Sequence, residues 1–212
     1  MSMARTRNLH PGINLGATDP DVHRAAEGVV FGFWLFLMAD LVIFGALFAT
    51  YAAMSVQGIA QGPSPAEIFD LGSAFVETVL LLLSSFAFGF ATLEMKYRGN
   101  IGRLYLWLAI AGLLGAGFVA MELHDYANMI AVHGATPQTS GFLSAYYLLT
   151  GTHVAHVSFG IAWMVVLMVQ IGVFGLTGIV KLRLLRLGLF WHMLDVVWVG
   201  IFTLVYLFGV VS

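Results

Sequence analysis

Six ionisable side chains stand inside apolar stretches of this sequence, and their spacing defines the chemistry they could do. Asp40 and Glu77 are isolated carboxyls, whereas His153 and His156 lie three residues apart, as do His192 and Asp195. On a helix that spacing puts both members of a pair on one face. Thr203 and Tyr206 extend the second pair into a polar stripe that must look into protein, with His153 and His156 expected to look back at it. Three chemistries fit. Neutral imidazoles could hold a haem or a metal ion. A bis-His haem, however, needs facing His residues on two helices at one depth, and the Glu-x-x-His motif of carboxylate-rich di-metal bundles is absent. Asp40 and Glu77 could instead belong to a proton or ion path, because a lone carboxyl in lipid stays neutral and can then donate a hydrogen bond or relay a proton. The third possibility is that all six join helices through hydrogen bonds worth ~0.6–2 kcal/mol each. No phosphate-cradling Gly loop, nucleophile elbow or H-E-x-x-H sequence is present.

The elements that must position these groups are read from composition. The 212 residues are 60% apolar and 9% charged, with mean hydropathy +0.92. A typical globular chain is about 25% charged, so the solvent of this chain is lipid. Cys is absent, which excludes disulfides, thiolate zinc sites and Cys-held clusters. The net charge of −2 says nothing about nucleic acid, but no basic patch is large enough to bind it.

Five apolar stretches, residues 29–54, 71–95, 104–130, 142–174 and 187–211, each exceed the ~20 residues a helix needs to cross a ~30 Å core. Backbone groups in lipid must bond internally, and the alternation of a barrel strand is missing. The expected fold is therefore all-α and integral to the membrane, with five transmembrane helices in one domain, 29–212. Residues 1–28 are expected to form a polar cytoplasmic tail without a cleaved signal peptide, and Gly58–Pro65 an exposed loop.

Asp40 then lies 11 residues past Val29, ~17 Å along helix one. An ionisable group at that depth costs ~2.5–3.5 kcal/mol on insertion scales, so it is a functional candidate by default. Glu122, His124, Asp125 and Tyr126 gather where helix three leaves the core and read as a solvated end, although Glu122 needs a partner if it is buried.

Lys and Arg fall three, none, three, none, three, none along the six successive non-spanning segments. By the positive-inside rule the N-terminus is cytoplasmic and the C-terminus periplasmic. Small residues at four-residue spacing, Gly45/Ala49/Ala53, Gly112/Ala116/Ala120 and Gly151/Ala155, are candidates for close helix contacts.

Thr150-Gly151-Thr152-His153-Val154-Ala155-His156-Val157 and Trp191-His192-Met193-Leu194-Asp195-Val196-Val197-Trp198 closely resemble motifs of subunit III of the haem–copper respiratory oxidases. Further similar segments are 32–40 (GFWLFLMAD), 75–78 (FVET) and 140–145 (SGFLSA), so the resemblance reaches all five helices and roughly two-thirds of the chain. The cytochrome c oxidase branch commonly has two extra N-terminal helices and Glu at the position of Asp40. In both respects this sequence looks like the five-helix quinol oxidase branch of the cytochrome bo type, a form that menaquinol and aa-type quinol oxidases share.

The resemblance implies an accessory subunit of a proton-pumping quinol oxidase in the bacterial inner membrane. It implies no catalytic, cofactor or metal residue in this chain, with haem and copper held by subunit I. Subunit I would be the principal partner, alongside subunits II and IV. Phospholipid would occupy a cleft between a bundle of helices one and two and a bundle of helices three to five. Asp40 would act by hydrogen bonding on the stability or proton supply of the oxidase core, and His153, His156, His192 and Asp195 would form one interhelical polar cluster. The rival reading, from another class, is a stand-alone transporter or channel using Asp40 and Glu77; a b-type cytochrome is a third.

Overall fold

The computed structural model describes residues 20–57, 69–98 and 100–211. Among these, five helices are long and apolar enough to cross a membrane. They are α1 (Pro20–Gln57), α2 (Leu71–Leu93), α3 (Ile101–His133), α4 (Gly141–Phe174) and α5 (Gly178–Ile201). A π-helical turn, Glu94–Arg98, prolongs α2, and another, Phe202–Leu207, carries α5 into the short α6 (Phe208–Val211). The expected tail lies outside the described residues as far as residue 19, after which the chain is already helical. The expected loop at Gly58–Pro65 also lies outside them.

Several helices begin earlier than their apolar stretches, for a local reason. Four are started by an N-cap side chain that accepts from a first-turn amide. Asp70 Oδ1 accepts from Gly72 N at 2.8 Å and Asn100 Oδ1 from Arg103 N at 3.2 Å. Ser140 Oγ accepts from Leu143 N at 3.1 Å and Thr177 Oγ1 from Val180 N at 3.4 Å. Hydropathy marks only where lipid begins. Lys181, Arg183 and Arg186 therefore lie in the opening turns of α5 rather than in a loop, where long cationic stems can reach the interface. Two ends need glycine: Gly134 (φ 59°) closes α3, with Ala135 N bonding back to Met129 O, and Gly175 (φ 68°) closes α4.

Helix α5 sits at the centre, against α1, α2 and α4, while α2 pairs most closely with α3, and α3 with α4. The expected bundle of helices one and two does not form: α1 packs on α4 and α5, and α2 on α3 and α5. The reason is side-chain fit. Trp191 and Trp198 of α5 reach into α2, donating to Ser84 Oγ at 3.1 Å and Thr78 Oγ1 at 3.0 Å. Phe33 and Phe44 of α1 meet Trp163, His153 and His156 of α4 instead.

The small-residue sets are not the close contacts. Gly45 and Gly151 have nothing near, and only Gly112 touches a neighbouring helix, through Met164 Sδ at 3.4 Å. The tight glycines are Gly115, Gly160, Gly172 and Gly188, each facing an aromatic side chain rather than a backbone. Helix α1 is the least covered, with 11% of its most apolar window buried against 56% in α5. Its outer surface is left for lipid or another chain.

Candidate functional site: the buried polar groups

The six candidate side chains do not converge. On the α1–α4 contact, His156 Nε2 lies 3.5 Å from Asp40 Oδ1, while His156 Nδ1 lies 2.7 Å from the Thr152 carbonyl oxygen. A carbonyl can only accept, so Nδ1 carries the hydrogen and Nε2 is the atom turned to Asp40. Asp40 Oδ2 is buried without a hydrogen-bond partner. The two side chains share a cavity of about 420 Å³ whose wall is otherwise apolar.

One turn away, His153 has no exposure and neither ring nitrogen has a hydrogen-bond partner. It lies in an aromatic cage, stacked on Trp198 at 5.4 Å (27°) with the edge of Phe118 at 5.7 Å and Phe44 at 6.3 Å. The ring contributes as a flat packing surface, and the cage holds it away from other polar groups.

His192 faces outward on α5, its side chain half exposed in a groove of about 550 Å³ beside α2. Its Nδ1 is 2.7 Å from Ser85 Oγ and 3.8 Å from Asp195 Oδ2. The expected single cluster of His153, His156, His192 and Asp195 is therefore replaced by three separate settings. The expected polar stripe on α5 is broken as well, since Thr203 bonds its own helix at Val199 O, 2.8 Å. The π-turn at Phe202–Leu207 resets the helical phase beyond Ile201, and Tyr206 reaches the interior from it.

Glu77 finds the partner that residue types alone did not reveal. Its carboxyl neighbours that of Glu122 across the α2–α3 contact, and neither residue is exposed. None of the four carboxyl oxygens makes a hydrogen bond of ordinary geometry. Glu122 is thus no part of a solvated end, whereas Asp125, one turn on, takes a bond from Ser73 Oγ at 2.7 Å and lines an outward-opening cavity of about 350 Å³. The hydroxyls of Tyr126 and Tyr206 stand beside Glu122. They are held by Tyr126 to Thr150 Oγ1 at 2.7 Å and Tyr206 to Tyr146 at 2.9 Å. Two neighbouring buried carboxyls ringed by tyrosines can hold and exchange a proton.

Asp40 and Glu77 stand in different helix contacts with different neighbours, His156 for the one and Glu122 for the other. Sequence reading passed over Thr78, Ser84 and Ser85, the α2 hydroxyls that receive Trp198, Trp191 and His192. Their signal was present. The α2 hydroxyls and the α5 rings recur at about seven residues, the near-two-turn repeat of packed antiparallel helices. Among the described residues, no group of three or more His, Asp or Glu side chains is placed to hold a metal ion.

Several known proteins are similar to this chain. Subunit 3 of the cytochrome bo(3) ubiquinol oxidase of Pseudomonas putida is 50% identical over 188 residues, 89% of each chain. The protein of the same name from Pseudomonas aeruginosa is 44% identical over 203 residues, 96% of each. Quinol oxidase subunit 3 of Bacillus spizizenii is 41% identical over 180 residues, 85% of this chain and 87% of the relative. The family model described as cytochrome c oxidase subunit III matches residues 12–210. With all five helices inside that match, the chain belongs to the cytochrome c oxidase subunit III family.

Proposed function

We propose that this chain is the non-catalytic subunit III of a proton-pumping quinol oxidase in a bacterial inner membrane. The complex would oxidise ubiquinol and reduce oxygen to water, with haem and copper in subunit I and no electron passing through this chain. What carries the reading is 41–50% identity with subunits 3 of ubiquinol and other quinol oxidases over 85–96% of the chain. Subunit I is the partner, with subunits II and IV in the same complex and phospholipid along the outer faces. The N-terminus is cytoplasmic, a reading supported by the cations at the α2–α3 and α4–α5 ends.

Within the complex Asp40 acts through its hydrogen bonding on the stability or proton supply of the core. Its support is the depth of Asp40 and its approach to His156. The test is purification of a tagged chain in mild detergent. Co-elution with larger, haem-bearing subunits that take up oxygen on quinol addition is expected. A chain that elutes alone and conducts ions in vesicles would defeat the reading, as would a Soret band from the isolated chain.

A further inference from the structure

The cavity between α1 and α4 ends on a polar pair at a depth no phospholipid headgroup reaches. Asp40 lies 14 residues beyond Ala26 and 16 before Val56, the ends of its span. At 1.5 Å per residue these are ~21 and ~24 Å, which puts Asp40 near the bilayer midplane. Phe33, Phe159, Trp163 and Phe190 wall the cavity, and its about 420 Å³ lies within the ~300–1,000 Å³ of small-molecule sites. Asp40 is only 9% exposed, yet it lines this cavity with Oδ2 unpartnered.

His156 cannot turn to satisfy that atom, because Nδ1 is committed to the Thr152 carbonyl and Nε2 faces Oδ1. The carboxyl therefore keeps one hydrogen-bonding position unfilled, and the residue that carries it lines an aromatic slot that is open to lipid. A group filling it must be uncharged to lie at the midplane, must carry an oxygen that donates or accepts, and must be flat enough for the aromatic walls. An acyl chain lacks the oxygen, and a charged headgroup stays ~15 Å away at the interface.

We infer that this cavity binds a quinone headgroup, with one ring oxygen on the Asp40–His156 pair and the isoprenoid tail running out between α1 and α4. The choice of a quinone among uncharged ring amphiphiles rests on the quinol oxidase reading above. The quinone is held here and not turned over. Either redox form fits, since the Asp40–His156 pair can present a donor to a carbonyl or an acceptor to a hydroxyl.

The test is photolabelling of the intact purified complex in phospholipid nanodiscs with an azido-ubiquinone carrying a short isoprenoid tail. Label is expected on this chain within residues 33–40 or 155–163, competed by ubiquinone-1 and not by added phospholipid. Asp40→Leu removes the hydrogen bond and Ala155→Phe fills the cavity from an exposed position of α4. Each should lower labelling about tenfold, the equivalent of one buried hydrogen bond or a blocked site. Should Asp40→Leu fail to assemble, Ala155→Phe alone decides. Labelling that is confined to other subunits, competed equally by phospholipid, or unchanged in Ala155→Phe overturns the inference. Failure of the complex to form at all would instead overturn the quinol oxidase reading.

Discussion

Trp191 offers the sharpest test of how this fold is held together. Its indole lies between two glycines: a Cβ at Gly160 would meet Trp191 Cζ3 at 2.8 Å, and one at Gly115 would meet Cζ2 at 2.9 Å. Ordinary contact begins near 3.4 Å, so Gly160→Ala must displace the ring by at least 0.6 Å (3.4 less 2.8). The ring has little freedom to yield. Its N–H donates to Ser84 Oγ at 3.1 Å, and Phe88 stacks on it at 6.4 Å and 18°. Overpacking of a held side chain costs ~1–3 kcal/mol. In a Trp191→Leu background the two closest obstructing atoms are gone and only Phe190 Cε1 at 3.2 Å remains, so the same Gly160→Ala change should cost no more than ~0.5 kcal/mol. The expected coupling between the two positions is thus ~0.5–3 kcal/mol, the range for residues in contact. Reversible unfolding of the four proteins by SDS in mixed micelles, followed by loss of helical dichroism, supplies the cycle. If the two single effects add within ~0.5 kcal/mol, the indole is not what demands glycine at 160, and the reasoning fails.

Further outcomes follow from the other settings. Glu122→Gln places an amide donor beside Glu77 and should raise the SDS unfolding midpoint by the equivalent of ~0.6–1.7 kcal/mol; a lower midpoint would show that the two carboxyls already share a well-formed bond. Trp198→Phe removes the bond to Thr78 Oγ1 and should lower the midpoint by a similar ~0.6–1.7 kcal/mol. Asp40→Asn in the intact oxidase should speed inactivation during turnover about threefold, the effect of ~0.6 kcal/mol. Unchanged lifetime and proton stoichiometry would remove Asp40 from the proposal. Because the chain has no Cys, single cysteines report topology without background. Gln138→Cys should react with a membrane-impermeant maleimide from the periplasmic side and Ile179→Cys only after the membrane is opened, and the reverse pattern would invert the orientation.

The helices were legible for reasons that act within each segment. Lipid cannot hydrogen-bond a backbone, so any sufficiently long apolar stretch must be helical whatever its neighbours do. Their ends were misread where hydropathy was used in place of capping chemistry. Asn100 and Thr177, which begin α3 and α5, carry the side chains that start helices, but they stand several residues outside the apolar runs. The residues worth studying were legible too, since a charge in lipid must have a reason. Their partners were not. His153 and His156 share a helix face within one turn, yet one is caged by Phe44, Phe118 and Trp198 and the other meets Asp40. That separation depends on which rings arrive from α1, α3 and α5, and one helix's periodicity does not contain it.

Composition and order by themselves determined that this is a five-helix membrane protein, which few polar groups it buries, and, through motifs in α4 and α5, the family to which it belongs. Each of these follows from the transfer of residues between water and lipid, or from local pattern, and needs no knowledge of helix pairing. Tertiary structure decided the rest. It replaced the expected α1–α2 bundle with α1 on α4 and α5 and α2 on α3 and α5. It joined Glu77 to Glu122, set Asp40 against His156 in the wall of an aromatic cavity, and left His192 facing outward. The physical reason is that lipid gives helices no hydrophobic drive to choose one another. Pairing is settled by how rings such as Trp191 and Trp198 fit beside glycines and hydroxyls on neighbouring helices, and that fit exists only once rotation and depth are set together.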